Sequence, residues 1–202
     1  MNSAVLKHFE TVDPILHAAA IQIPNLRTLE KSDNYFRSLC RTIIGQQLSG
    51  KVADVIFARF VALFADGDIS PDSILEQPDQ RLRDIGMSWS KVAFIKDLAL
   101  KTKHKEIAVA SLDTFSDEAV MQELRKVKGI GPWTVEMFLM FSLAREDIFS
   151  LGDLGLKNAM KKLYAFKRDP SPKKILELSQ KWSPYRTYAC LVLWESLDAK
   201  GE

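Results

Sequence analysis

Apolar residues recur three and four positions apart along nearly the whole chain, the spacing of one helical face rather than the alternation of a strand. In residues 32–49, "SDNYFRSLCRTIIGQQLS", the residues Tyr35, Phe36, Leu39, Cys40, Ile43 and Ile44 share a face, with Asp33 or Ser32 as the expected cap. After the interruption from Gly45 to Gly50, a second face is expected from Val52, Val55, Ile56, Phe60, Leu63 and Phe64. Ser70 followed by Pro71 predicts a third start, because a hydroxyl cap and a proline at the first helical position are favoured together. A short helix from Asp79 stops near Gly86, and another from about Ser90 to Lys101 turns Val92, Ile95, Leu98 and Ala99 inward. Ser116 caps "DEAVMQELRKV", and four more helical segments come after it: "PWTVEMFLMFSLA", "DLGLKNAMKKLYA", "PKKILELSQKW" and "PYRTYACLVLWESL". The pattern predicts an all-α fold of about ten helices with short connections.

One stretch breaks that pattern. "VKGIGPWTVEMF" (127–138) sets Gly129, Gly131 and Pro132 beside Trp133. Glycine costs a helix roughly 1 kcal/mol against alanine and proline roughly 3, so the chain needs a tight turn here, or bare backbone close to something. Both glycines permit a positive φ and remove side chains, and Pro132 opens the next helix where its missing N–H is no loss. A helix head of this kind suits an anion. One phosphate of a DNA backbone fits, with Lys126 and Lys128 adding charge and no base being read. An ordinary helix–turn–helix corner fits the turn equally well.

Composition narrows this little. The chain has 202 residues, 47% of them apolar, enough for a sizeable core. No apolar run is long enough to span a membrane, and no leader pattern opens the chain. Cys40 and Cys190 sit among apolar neighbours, as buried reduced thiols do, which favours a cytoplasmic setting. His8, His17 and His104 are scattered without ligand spacing, so no metal site is expected from them. Net charge is only +2, but residues 1–80 carry 7 Lys/Arg against 10 Asp/Glu, while residues 157–186 carry 9 against 2. Such a block suits nucleic acid or a plain solvated face.

The residues downstream of the turn favour DNA. The segment "LRKVKGIGPWTVEMFLMFSLAREDIFSLGDLGLKNAM" (124–160) resembles the helix–hairpin–helix DNA glycosylase superfamily, in which a G-x-G hairpin precedes an essential aspartate by about twenty residues. Here Asp153 stands 22 residues after Gly131. "IIGQQLSGKVA" (43–53) and "IGMSWSKVAFIKDLA" (85–99) resemble two further signatures, and "WSPYRTYACLVLW" (182–194) resembles the last helix of the 3-methyladenine glycosylase II branch. The resemblance covers roughly residues 30–197 in four blocks, and with about thirty residues before the first of them, the β-rich domain that begins larger members is not expected. It implies one glycosylase unit over 1–202 with an interlobe cleft: a central lobe, 33–131, carrying the hairpin, and a second lobe from 1–32 plus 132–202.

The resemblance also implies roles. Members that cut the strand use a Lys two residues after the second hairpin glycine, where this chain has Trp133, so no Schiff base can form there. Members with an iron–sulfur cluster use four cysteines, and this chain has two. The implied activity is monofunctional hydrolysis of the N-glycosidic bond of alkylated purines, of the 3-methyladenine and 7-methylguanine type, in duplex DNA. An alkylated purine is cationic and leaves without a general acid. One carboxylate, Asp153, then suffices to stabilise the oxocarbenium-like C1′ or orient water, and it is expected to cap the helix that begins "LGLKNAM". Asp147 is the nearest rival carboxylate.

Trp133, Met137 and Trp194 are the implied base pocket, with Met137 standing where the family has an aromatic. Gln47, with Leu48 beside it, is the implied plug for the gap left by the everted base, and Lys128, Gly129, Gly131 and Thr134 the implied grip on DNA. The implied protein is a monomer that uses no cofactor and no iron–sulfur cluster, beyond a structural monovalent cation on the hairpin carbonyls. Two alternatives stay open: a hairpin module that binds damaged DNA without chemistry, and a glycosylase for deaminated or oxidised bases.

Overall fold

The computed structural model describes residues 2–198; Met1 and residues 199–202, which belong to the expected unit 1–202, lie outside the described residues. Among the described residues there are twelve α-helices and two short 3₁₀ helices, with no strand. The all-α expectation holds. Two helices beyond the expected ten lie at the start: α1 (Ser3–Val12) and α2 (Pro14–Ala20). They are short and separated only by Asp13, whose side chain accepts Leu16 N–H and caps the second.

Contacts divide the chain into two compact units. One is formed by the described residues up to Glu30 and from Ala144 onward, the other by Lys31–Leu143. The expected boundary at 131/132 therefore falls inside the second unit. The reason is packing. The helix after the hairpin, α9 (Pro132–Phe141), lies against α3 (Tyr35–Gly45) and α8 (Asp117–Leu124), with Tyr35 edge-on to Phe138 at 6.0 Å.

The 31–143 unit is built from α3, α4 (Gly50–Val61), α5 (Pro71–Glu76), α6 (Asp79–Asp84), α7 (Trp89–Lys103), α8 and α9. Leu39, Ile43, Ile44, Phe60, Ile74, Leu82, Met87, Ile95, Leu98, Leu124, Val135 and Phe138 form its core. The cap of α3 is Asn34, whose side chain accepts Arg37 N–H at 2.9 Å, rather than Asp33 or Ser32. Ser32 Oγ instead bonds Ser38 Oγ at 2.6 Å. On α4 the buried stripe runs through Ile56, Phe57 and Phe60, leaving Val52 and Val55 exposed. That stripe keeps Ile56 and Phe60 of the expected one and turns toward Phe57, which brings a larger apolar area inward and sits under Arg37 and Arg41.

The other unit packs α10 (Leu154–Leu163), α11 (Pro172–Lys181) and α12 (Arg186–Asp198) with α1 and α2. Its hub is polar. Asp13, buried, accepts Tyr164 Oη–H at 2.6 Å and Trp182 Nε1–H at 2.9 Å besides its own cap bond. A buried carboxylate with three donors is satisfied rather than costly, and it ties the N-terminal helices to the C-terminal ones. Burial and that carboxylate push the Tyr164 phenol up from its ordinary range. Both cysteines are buried, and neither is in a disulfide.

Candidate active site

The hairpin turn joins α8 to α9 as a seated structure. Gly129 has φ +77, and a Cβ there would lie 2.1 Å from the Phe94 ring of α7. It is glycine for two reasons, left-handed backbone and contact with an aromatic face. Gly131 has an ordinary φ of −96, so only one of the two glycines uses the positive region. A Cβ on Gly131 would meet nothing of the protein within 4 Å. Its missing side chain leaves room on the outer side of the turn, where another molecule's backbone can come close.

Three side chains lock the turn, and the pattern of apolar residues singled out none of them. Gln46 donates through Nε2 to the Gly129 carbonyl at 2.9 Å and to Thr134 Oγ1 at 3.0 Å. Asp97 accepts Lys128 N–H at 2.8 Å and the Lys101 ammonium at 3.1 Å. Lys101 also donates to the Lys126 carbonyl. Partial burial works to raise the Asp97 carboxyl, but the bonds and charges from Lys128 and Lys101 outweigh it and hold it below the ordinary carboxylate range. The one available signal for Gln46 was its place beside the α3 terminus, and Gln47 has the same place.

The expected DNA-contacting residues separate under this geometry. Gln47 is exposed with φ +59, projecting from the turn after α3, and Leu48 next to it is half-buried. Lys128 is exposed, its ammonium 3.8 Å from Asp97. Thr134 is buried, and its hydroxyl is turned to Gln46 rather than outward. Trp133 is 39% exposed, whereas Met137 is only 9% exposed, one turn further along α9. The carbonyls of Lys126, Val127 and Gly129 each accept one bond from Lys101, Ile130 N–H and Gln46. Each keeps a second lone pair, the kind of donor the expected monovalent cation takes.

Asp153 caps α10. Its Oδ1 accepts Leu156 N–H at 2.8 Å and the indole N–H of Trp194 at 3.1 Å. Its own N–H bonds the Ser150 carbonyl at 3.2 Å, closing the turn that presents it. Gly155 completes the arrangement, since a Cβ there would stand 3.0 Å from Asp153 Oδ1 and 3.2 Å from Trp194 Nε1. Sequence reasoning selected Asp153 and Trp194 and missed Gly155, which pattern alone does not distinguish from an ordinary helix residue. Trp194, expected as a wall of the base pocket, is seen to donate its indole N–H to Asp153. Asp147, the rival, is committed elsewhere: Arg186 grips it through Nε at 2.7 Å and Nη2 at 3.0 Å, with Ser183 Oγ at 2.8 Å. The basic block is partly paired as well, with Lys157 and Lys161 on Asp169 and Lys174 near Glu177.

A seated hairpin and a carboxylate at a helix head are the two features the sequence motifs mark. The family model for HhH-GPD superfamily base excision DNA repair proteins matches residues 40–184, which include both. The chain belongs to that superfamily. Within it, the chain is 34% identical over 169 residues to a Bacillus subtilis protein, covering 81% of this chain. It spans only 59% of that relative's length. It is also 34% identical over 175 residues to DNA-3-methyladenine glycosylase 1 of Schizosaccharomyces pombe, covering 86% of this chain and 76% of that one. Among solved structures, that of a Schizosaccharomyces pombe 3-methyladenine DNA glycosylase in complex with abasic DNA superposes with a TM-score of 0.88 at 29% identity, covering 96% of each chain.

Proposed function

We propose that this superfamily member is a monofunctional DNA glycosylase that removes alkylated purines, 3-methyladenine among them, from duplex DNA and leaves an abasic site. The observation that carries this is Asp153, with Oδ1 fixed by Leu156 N–H and Trp194 Nε1–H at the head of α10. Relatives named for 3-methyladenine support the substrate.

In the proposed reaction the target base leaves the stack, which costs a few kcal/mol. The C1′–N bond of an alkylated purine breaks with its electron pair passing to the base, whose positive charge is thereby neutralised. Positive charge then builds on the sugar, and a preoriented carboxylate placed against it lowers the barrier without reorganising. Water attacks C1′ through oxygen and gives up a proton, which Asp153 or solvent accepts.

The exposed indole of Trp133 suits stacking on a cationic base, a contact worth ~0.5–2 kcal/mol. Because Trp133 is no amine, the reaction ends at hydrolysis. The hairpin grips phosphate through its first-turn N–H groups and the open space at Gly131. A monovalent cation, if held on the hairpin carbonyls, would add positive charge there, and no step requires it.

The test uses duplexes carrying methylated, deaminated or oxidised bases. The wild-type chain is expected to release 3-methyladenine, and Asp153→Asn to lose about a hundredfold or more of that rate while still binding abasic-site DNA. Release by the variant at the wild-type rate ends the catalytic assignment. A wild-type chain that binds the damaged duplexes and releases nothing makes the protein a binding module, and release confined to the deaminated or oxidised duplex makes it a glycosylase of another lesion.

A further inference from the structure

The unit formed by the terminal segments carries an apolar groove of about 630 Å³ that the proposed reaction does not use. α2 and α10 each pack on α12, and the groove opens between them, with Ser196 of α12 in its lining. Two helices laid on a third leave between them the kind of space into which a further helix packs.

α2 is apolar nearly all round. Leu16 and Ala20 are buried, while Ile15, Ala18 and Ala19 line the groove. A helix of that kind ordinarily has both faces covered, yet Ile15 is 49% exposed and Ile21, at the end of α2, is 61% exposed. Leu163 and the exposed Lys162, from the end of α10, line the same groove. A second hollow, of about 550 Å³, shares Lys162 and is lined by Phe166 and Leu197. One lysine therefore stands between two apolar depressions.

The charge around them is uneven. Lys161 is held by Asp169 at 2.8 Å, whereas Lys162, Lys167 and Arg168 form no ion pair among the described residues. An apolar slot edged by uncompensated positive charge is complementary to a segment that is apolar along one side and acidic beside it. Duplex DNA offers the negative charge but no apolar ridge to fill the slot. The groove lies at the tail of α10, whose head carries Asp153, about 15 Å away along a ten-residue helix. An occupant and the aspartate are thus at opposite ends of one helix.

We propose that this groove docks an acidic amphipathic helix of a partner protein. Its apolar side chains fill the hollows on either side of Lys162, and a Glu or Asp between them meets the Lys162 ammonium. The surface recruits a partner and takes no part in the chemistry at Asp153.

The test selects a displayed library of helical peptides on the full-length chain, each apolar along one face with flanking positions varied among Glu, Gln and Lys. Selected peptides are expected to carry Glu beside the apolar face. Ile15→Asp should weaken them roughly tenfold or more, the scale of one buried aliphatic side chain. Lys162→Glu should weaken them about fivefold, as reversal of an exposed charge does. Exchanging the peptide Glu for Lys should restore binding to Lys162→Glu and not to Ile15→Asp. Ile15 is the second residue of α2, a position that accepts aspartate, so both variants should unfold at the wild-type temperature. Release of 3-methyladenine by both should equal wild type, so the glycosylase reading is tested separately.

Selection of no peptide, or of peptides that bind either variant as tightly as wild type, overturns the proposal. Weaker binding of both variants to duplex DNA or to phosphatidylglycerol vesicles also overturns it, by giving the groove to DNA or to a lipid surface. So does a wild-type dimer that Ile15→Asp converts to monomer, which would make the occupant a second copy of this chain.

Discussion

The indole N–H of Trp194 points at Oδ1 of Asp153 across 3.1 Å, and the Leu156 N–H reaches the same oxygen at 2.8 Å. The carboxylate is thereby fixed in rotation by two donors from two helices, α12 and α10. A hydrogen bond to a charged group contributes about 1.5–3 kcal/mol. Trp194→Phe keeps a ring and removes the N–H. Single-turnover excision of 3-methyladenine is expected to fall roughly ten- to a hundredfold, with little change in binding to abasic DNA. An unchanged rate would show that Leu156 N–H alone orients the aspartate.

Gly155 tests the same geometry from the other side. Alanine is the better helix former by up to ~1 kcal/mol, yet its methyl would stand 3.0 Å from Asp153 Oδ1 and 3.2 Å from Trp194 Nε1. Gly155→Ala should therefore keep or slightly raise the unfolding temperature while lowering excision about tenfold. Stability and activity moving in opposite directions is the expected result. A variant as active as wild type would mean the pair relaxes without cost.

The two hairpin glycines should behave differently. Gly129→Ala places a non-glycine residue at φ +77 with its methyl inside the Phe94 ring contact, a combined cost of about 2–4 kcal/mol. Gly131→Ala has an unstrained φ and an open outer side. Its unfolding midpoint in urea should stay near wild type while affinity for abasic DNA drops. If Gly131→Ala binds as wild type does, the space at that turn is not where phosphate approaches.

Asp147 separates stability from chemistry. Partial burial works to raise its carboxyl, but the Arg186 guanidinium, the Ser183 hydroxyl and the Arg186 N–H outweigh it and hold it below the ordinary 3.8. A carboxylate lowered in the folded state adds stability that is fully present above that ordinary value and is lost as pH falls through the lowered one. Wild-type protein should thus lose part of its stability below about pH 4, and Asp147→Asn should show a flatter acid limb from a lower neutral starting point. Its excision rate at neutral pH should stay close to wild type. A large loss there would return Asp147 to the catalytic candidates.

Local chemistry accounts for what could be read along the chain. Helical periodicity gave the all-α class, and the caps at Ser70, Ser116 and Asp153 appear where a short oxygen precedes an apolar stripe. Those features are decided within a few residues, so sequence alone determines them. The fixed spacing from Gly131 to Asp153 marked the superfamily for the same reason, since a motif is a local pattern. Three-dimensional contact decided the rest. Gly129 is required by Phe94, 35 positions earlier, and the hairpin is held by Gln46, 83 positions before the Gly129 carbonyl it bonds. Trp194 meets Asp153 across 41 positions, and Asp147 is occupied by Arg186 across 39. No spacing rule reaches across such separations, because they are set by how helices pack side by side and not by the turn of any one of them.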